Sequence, residues 1–202
     1  MGQQVKIGLI SDTHVPTTMD SPPSQILQAF DSVDLILHAG NIHVPRVLDW
    51  LEQVAPVKAS GSTDSDHPER HQSFSMECAE DPRVAPLQIL ELEGYRVGVA
   101  NNLLLHGMND EIRPGEIGRH LERRPSLSFR AMVQNFFGVS LDVVVFGRTT
   151  FAMVEDHQGI LFVNPGSPAL PRNFRRLGSV AVLELTEEGA SASIIELKDL
   201  SN

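Results

Sequence analysis

Apolar residues fall in short runs, and the positions that end each run are polar. The run Val5–Ile10 stops at Ser-Asp-Thr-His, and Ser21-Pro-Pro-Ser then supplies a cap and helix-compatible prolines before a helix at 25–30. A second buried strand, Leu35–His38, turns at Ala39-Gly40-Asn41 into a helix at 44–53, followed by a strand at 57–59. To this point the chain reads as a βαβαβ wind with a parallel sheet. Residues 65–85 are rich in His, Pro, Asp and Glu without periodicity, and read as a surface excursion with a short strand at 74–76. Leu87–Leu92 and 96–100 flank Glu93-Gly94 as a hairpin, which ends the all-parallel pattern. A helical region over 116–137, broken near Pro125, precedes the strand Val143–Phe146. Only strands follow, at 151–154, 160–163, 180–185 and 192–197, the last two joined by Thr186-Glu-Glu-Gly.

This order predicts an α/β fold of two packed mixed β-sheets flanked by helices, with residues 1–202 forming a single unit. Hydrophobic residues make up 41% of the 202, enough to bury a substantial core. The formal net charge of −10 argues against a phosphate-backbone binder, and leaves Arg123-Arg124 and the basic stretch 172–176 as solvated faces. One cysteine, Cys78, cannot form an internal disulfide, and the chain opens without a secretory pattern; both point to a cytoplasmic protein. Apolar runs stay well short of the roughly 18 to 20 residues that span a bilayer, so no membrane role is expected.

Polar residues collect directly after the apolar strands: Asp12 and His14, Asn41, Ser62 and Asp64, His106, and Arg148 with Thr149 and Thr150. The carboxyl ends of strands form the ligand crevice in open α/β sheets, so these positions are expected to converge. Asp12 and His14 are two residues apart, which puts both side chains on one face if the backbone stays extended, and a carboxylate beside an imidazole is half of a divalent-metal site. Taken singly, each has a plainer role as a turn, cap or hydrogen-bonded residue. Their shared order along the chain favours the pocket. The sequence contains no Gly-x-Ser-x-Gly elbow, no phosphate loop ending in Gly-Lys-Ser/Thr and no paired cysteines for zinc.

The stretches Ile10-Ser-Asp-Thr-His-Val-Pro16, Leu35-Ile-Leu-His-Ala-Gly-Asn41, Gly61-Ser-Thr-Asp64, His106-Gly107, Val144-Val-Phe-Gly-Arg-Thr-Thr150 and Val163-Asn-Pro-Gly-Ser-Pro168 resemble the calcineurin-like metallophosphoesterases, in particular their small bacterial phosphodiesterase branch. The resemblance runs over most of the chain and implies an α-β-β-α sandwich. It also implies a pocket for two divalent ions, Mn, Fe, Ni or Zn, which generate a hydroxide and orient a phosphoester for in-line attack. The family order is Asp-x-His, Gly-Asp, Gly-Asn, His, then Gly-His-x-His. Asp12, His14 and His106 match it. Asn41 stands in place of the bridging Asp, Ser62 in place of the Asn ligand, and Arg148 and Thr150 in place of the last two His.

Asn41 can still offer an oxygen to one ion, so Asp12, His14, Asn41 and His106 are the expected metal positions and Ser62, Arg148 and Thr150 the altered ones. Arg148 is the most damaging change, because a guanidinium has no lone pair and stays protonated. Losing a carboxylate and gaining a guanidinium makes the pocket two charges more positive, at about 4 kcal/mol per unit pair for ~4 Å and an effective dielectric of ~20. The preferred expectation is a family member with weak or no phosphodiesterase activity that acts as a binding or scaffold protein. A eukaryotic trafficking-complex subunit of this fold, with altered metal positions of its own, offers the analogy. In that reading Arg148 pairs with Asp12 in place of a metal. The alternative is an enzyme with a remodelled, single-metal site on Asp12, His14 and His106, helped by Asn41, His43, Asp64 or Asp110, in which Arg148 binds the substrate phosphate. A third is a metal-free anion sensor. Solvent-exposed loop positions are the plainer reading of His43, His67 and His71, a helix cap that of Asp110, and a structural turn that of Asn164-Pro-Gly-Ser167. The partners implied are a phosphoester or other small anion, or a protein.

Overall fold

The computed structural model describes residues 4–61, 78, 80–105, 108 and 112–200. Among the described residues eleven strands form two sheets. The first contains β1 (Val5–Ile10), β2 (Leu35–His38), β3 (Val57–Ser60), β4 (Val84–Ala85), β10 (Ser179–Thr186) and β11 (Gly189–Glu196), in the order β11-β10-β1-β2-β3-β4. β1 to β4 run parallel, and the β10–β11 hairpin is added antiparallel to β1. The second contains β5 (Leu87–Leu92), β6 (Tyr95–Ala100), β7 (Val143–Phe146), β8 (Met153–His157) and β9 (Ile160–Asn164), in the order β5-β6-β7-β9-β8, with β6, β7 and β9 parallel.

The two sheets pack face to face, and helices cover their outer faces. Ile7, Leu9 and Leu37 of the first sheet meet Val97, Val99, Val143, Val145 and Val163 of the second in the shared interior. Their neighbours in sequence point the other way, as alternation requires. Ile10 and Ile36 pack under α1 (Gln25–Ala29) and α2 (Arg46–Leu51), with Phe30 and Leu48 fully buried there. Val144, Phe146 and Phe162 pack under α3 (Glu116–Arg123) and α4 (Phe129–Phe137). The inner strands are thus buried on both faces, which is why they read as unbroken apolar runs. Pro125 does separate two helices, and the second begins at Ser128, whose hydroxyl accepts from the Ala131 amide.

Three local expectations are corrected. Ser24 precedes α1 in helical geometry and its side chain makes no capping bond. The 65–85 excursion returns at Val84–Ala85 to add an edge strand, while the strand expected at 74–76 lies outside the described residues. The strand expected at 151–154 spans Met153–His157: β8 is an edge strand, so Glu155, Asp156 and His157 join the ladder through their main chain and break the apolar pattern. Among the described residues no helix is long and apolar enough to cross a membrane.

Candidate functional site

The carboxyl ends of β1 and β2 in one sheet face those of β6, β7 and β9 in the other, and the loops that leave them are bound together by hydrogen bonds. The Asp12 amide donates to the Gly40 carbonyl at 2.9 Å, and the Gly147 amide to the Asn101 carbonyl at 3.1 Å. Between the sheets, the Ser11 hydroxyl donates to the Gly166 carbonyl at 2.7 Å and the Ser167 hydroxyl to the Asp12 carbonyl at 2.8 Å. Asn164 donates from its amide to the Gly147 carbonyl and the Thr149 hydroxyl and accepts from the Gly166 amide. The Asn164 to Ser167 turn therefore works as a structural clamp on the pocket.

Asp12 is the centre of the site and is fully buried. One carboxylate oxygen accepts the side-chain N–H of Asn41, and the other accepts the backbone N–H of Arg148 at 2.9 Å. His14 Nε2 lies 3.6 Å from the first oxygen, within ion-pair range but too long for a hydrogen bond. The hydrogen bond that joins Arg148 to Asp12 is thus made by its main chain. The Thr150 hydroxyl is buried without a hydrogen-bond partner among the described residues.

Backbone geometry marks the same positions. Asp12, His14, Asn41, Arg148 and Thr150 have φ of 54°, 48°, 59°, 71° and 58°, five of the nine non-glycine residues with positive φ among those described. Asp12 and His14 therefore do not share a face of an extended strand; they meet because the chain curls through the left-handed region after Ile10. Such residues cost on the order of 1–3 kcal/mol each and persist only where the surroundings over-determine them, as the clamp does here. Gly147 has no room for a side chain: a Cβ would stand 2.3 Å from the Ala39 carbonyl and 3.2 Å from Asp12 Oδ2. Gly147→Ala is expected to lower stability by on the order of 3 kcal/mol, read from urea unfolding, and to disturb the Asp12 loop first.

His38, at the end of β2, lies behind the pocket. The Gly40 amide donates to its Nδ1 at 3.1 Å, so Nε2 carries the proton and faces the Thr13 hydroxyl at 3.3 Å. Burial, helped by the neighbouring His14, pushes its pKa from 6.5 down to about 3. In front, His14 Nδ1 lies 3.1 Å from His43 Nε2, and His43 Nδ1 lies 3.2 Å from the Thr17 hydroxyl. Burial and His14 also lower the His43 pKa.

Of the expected site residues, Asp12, His14, Asn41 and Arg148 are brought to one place, and Thr150 lies two residues beyond Arg148 on the same loop. Ser62, Asp64, His67, His71, His106 and Asp110 lie outside the described residues. Asn101 and His38 join the site without having been expected there, although Asn101 is the first residue after β6 and His38 the last of β2. The same signal, a polar residue where an apolar strand ends, would have found them. Among the described residues no three His, Cys, Asp or Glu side chains gather as ligands for one ion.

Residues 5–188 match the calcineurin-like phosphoesterase superfamily domain. The chain belongs to that superfamily. A probable metallophosphoesterase of Methanothermobacter thermautotrophicus is 33% identical over 192 residues, 94% of this chain and 91% of that protein. Among solved structures, vacuolar protein sorting 29 of Cryptosporidium parvum superposes with a TM-score of 0.58 over 96% of this chain and 97% of its own, at 16% identity. The zinc complex of Vps29 from Entamoeba histolytica gives the same TM-score and identity over 96% of this chain and 99% of its own. At that identity the two structures attest to the fold alone.

Proposed function

We propose that this superfamily member is a poor phosphodiesterase whose two-metal pocket has been replaced by protein hydrogen bonds, and that it acts through binding another molecule. The observation that carries the reading is the Asn41 side chain, which donates to the carboxylate of Asp12. In a binuclear site both positions would turn oxygens toward a shared cation. Here an N–H is turned toward that carboxylate and supplies it with a hydrogen bond from the protein. The donor set agrees: Arg148 has no lone pair, the Thr150 hydroxyl is a weak donor oxygen, and Ser62 has a shorter reach than Asn. A pair of divalent ions does not fit these residues.

Asp12 and His14 support the competing reading, a single ion held by these two and by His106, with Arg148 left to bind a substrate phosphate. Their 3.6 Å separation is short enough for both to reach one cation. The superfamily chemistry such an ion supplies is activation of water and stabilisation of the leaving oxygen. In either reading Arg148, half-buried just beyond the end of β7, is the proposed contact for an anionic group. The likeness to Vps29 at the level of fold supports the binding role, and the archaeal relative's description as a probable metallophosphoesterase supports the enzymatic one.

Hydrolysis separates the two. Wild type with Mn²⁺ is expected to turn over bis-p-nitrophenyl phosphate no faster than its chelated control. The quadruple variant Asn41→Asp/Ser62→Asn/Arg148→His/Thr150→His serves as the positive control for the assay. Robust Mn²⁺-dependent turnover by wild type, abolished in Asp12→Ala, would sink the binding reading and establish the remodelled enzyme.

A further inference from the structure

We propose that a groove beside the loop 171–177 docks an acidic peptide that carries a bulky aliphatic side chain. Two hollows that share Leu177 make up the groove. The larger, of about 660 Å³, is lined by Met19, Pro22, Leu27 and Trp50 together with Leu177, and the smaller, of about 330 Å³, by Pro171, Arg176 and Lys198 together with Leu177. Met19, Trp50 and Leu177 pack against the core under α1 and α2 yet stay only partly buried, so the floor of the groove is apolar.

The charge around it selects the occupant. Arg172, Arg175 and Arg176 are exposed, and among the described residues none of them forms an ion pair, whereas Arg83 is spent on Asp49, Glu52 and Asp81. Lys198 adds a further cation, and the Arg46 guanidinium reaches the same side, donating to the Asp20 carbonyl at 3.2 Å. The acids that line the two hollows are Asp20 and Glu196, and Glu196 is engaged by Lys198 at 3.7 Å. The rim is therefore cationic on a molecule whose net charge is −10. Phe174, 62% exposed, is the most exposed large apolar side chain among the described residues, and the Arg176 guanidinium lies 5.8 Å from its ring centre. A solvated face accounts for the arginines of this stretch but not for the phenylalanine set among them. Arginine beside an exposed aromatic ring is the composition of a binding hot spot.

A peptide suits this surface better than other anions. Nucleic acid calls for a longer row of cations, and an anionic membrane presents a broad plane of charge that the rest of this acidic protein repels. A short chain engages the rim within a Debye length of about 8 Å and has side chains to fill the hollows. The inference deepens the binding role proposed above by naming a partner, and none of the residues lining the groove belongs to the Asp12 pocket.

Trp50 is the chain's one tryptophan, so its emission reports on the groove. Full-length protein is titrated with acetyl-Glu-Glu-Leu-Glu-Glu-Leu-Glu-amide, with the counterpart bearing Lys for Glu, and with phosphatidylglycerol vesicles. The acidic peptide is expected to change the emission saturably, with an affinity that falls as NaCl is added, and the basic peptide to leave it unchanged. Arg175→Glu/Arg176→Glu is expected to weaken binding about tenfold and Phe174→Ser about fivefold, while Arg148→Ala has no effect. The substituted groove positions are exposed, and unchanged thermal melts identify folded variants; the contrast between the two peptides on wild type decides the matter should one unfold. An emission unmoved by the acidic peptide, an equal response to both peptides, or a response to vesicles alone would overturn the proposal. So would binding lost in Arg148→Ala but kept in the double variant, which would put the peptide at the Asp12 pocket. Mn²⁺-dependent hydrolysis, by contrast, tests that pocket and leaves the groove untouched.

Discussion

Acid is expected to unfold this protein through His38. In the folded chain the ring is neutral down to about pH 3, because it is sealed in the core and its Nδ1 is committed to the Gly40 amide. In the unfolded chain it takes up a proton near pH 6.5. Between those limits the unfolded state holds the extra proton, so stability is full above pH 6.5 and falls as the pH drops. The whole interval corresponds to on the order of 5 kcal/mol, a large part of the stability of an ordinary domain. His43, whose pKa is also lowered, adds in the same direction. Urea unfolding of wild type and His38→Asn at pH 7.5, 6, 5 and 4.5 isolates the effect. The variant is expected to start less stable, since it loses buried contacts, yet to lose stability more slowly with acid. Parallel curves for the two proteins would show that His38 is protonated in the folded state or that its environment is open.

The second large effect belongs to Asn41→Asp. The substitution is nearly isosteric and restores the residue found in the family pattern, yet in metal-free protein it should be harmful. It replaces the N–H that satisfies Asp12 with a second carboxylate at the same place. Two like charges at hydrogen-bonding distance, in surroundings with an effective dielectric of about 20, repel by up to about 4 kcal/mol. A proton shared between the two acids relieves this, so the variant's deficit should shrink as the pH is lowered. A divalent ion should relieve it too. The expected result is a lower urea midpoint than wild type at pH 7.5 in chelator, and a partial recovery with millimolar Mn²⁺ that wild type does not show. Equal midpoints in chelator would mean that the Asn41 bond contributes nothing at this position.

Much of the sandwich was legible because its inner strands are buried on both faces: Val143–Phe146 has no exposed position, and its three valines favour a strand over a buried helix. The edges were harder to read. Val84–Ala85 is too short to carry a period, and Glu155 to His157 show nothing in their side chains of the ladder that their backbone makes. In the site, the order of polar residues after strands located Asp12, His14, Asn41, Arg148 and Thr150. Their left-handed backbone could not be foreseen, since Arg and Thr are poor candidates for that region and the Arg148 amide is held by a bond to Asp12, 136 residues away in the chain. Nor could the sequence foresee that Arg148 would reach Asp12 through its amide. That contact depends on how closely Gly147 lets two sheets approach, a property of packing and not of the local chain.

The seam between the sheets has a consequence for finding what this protein binds. Ser11, Asp12 and Ser167 fasten the lip of one sheet to the lip of the other, at the open end of an otherwise apolar sandwich. A molecule that bridges these loops touches both layers at once and acts as a rivet across them. Separating the layers is part of global unfolding, so occupancy of the pocket is converted directly into resistance to heat. A melting curve therefore becomes a detector that needs no assumption about chemistry: anions, cations, nucleotides and peptides can be ranked on one scale, whichever of them the seam was shaped to hold.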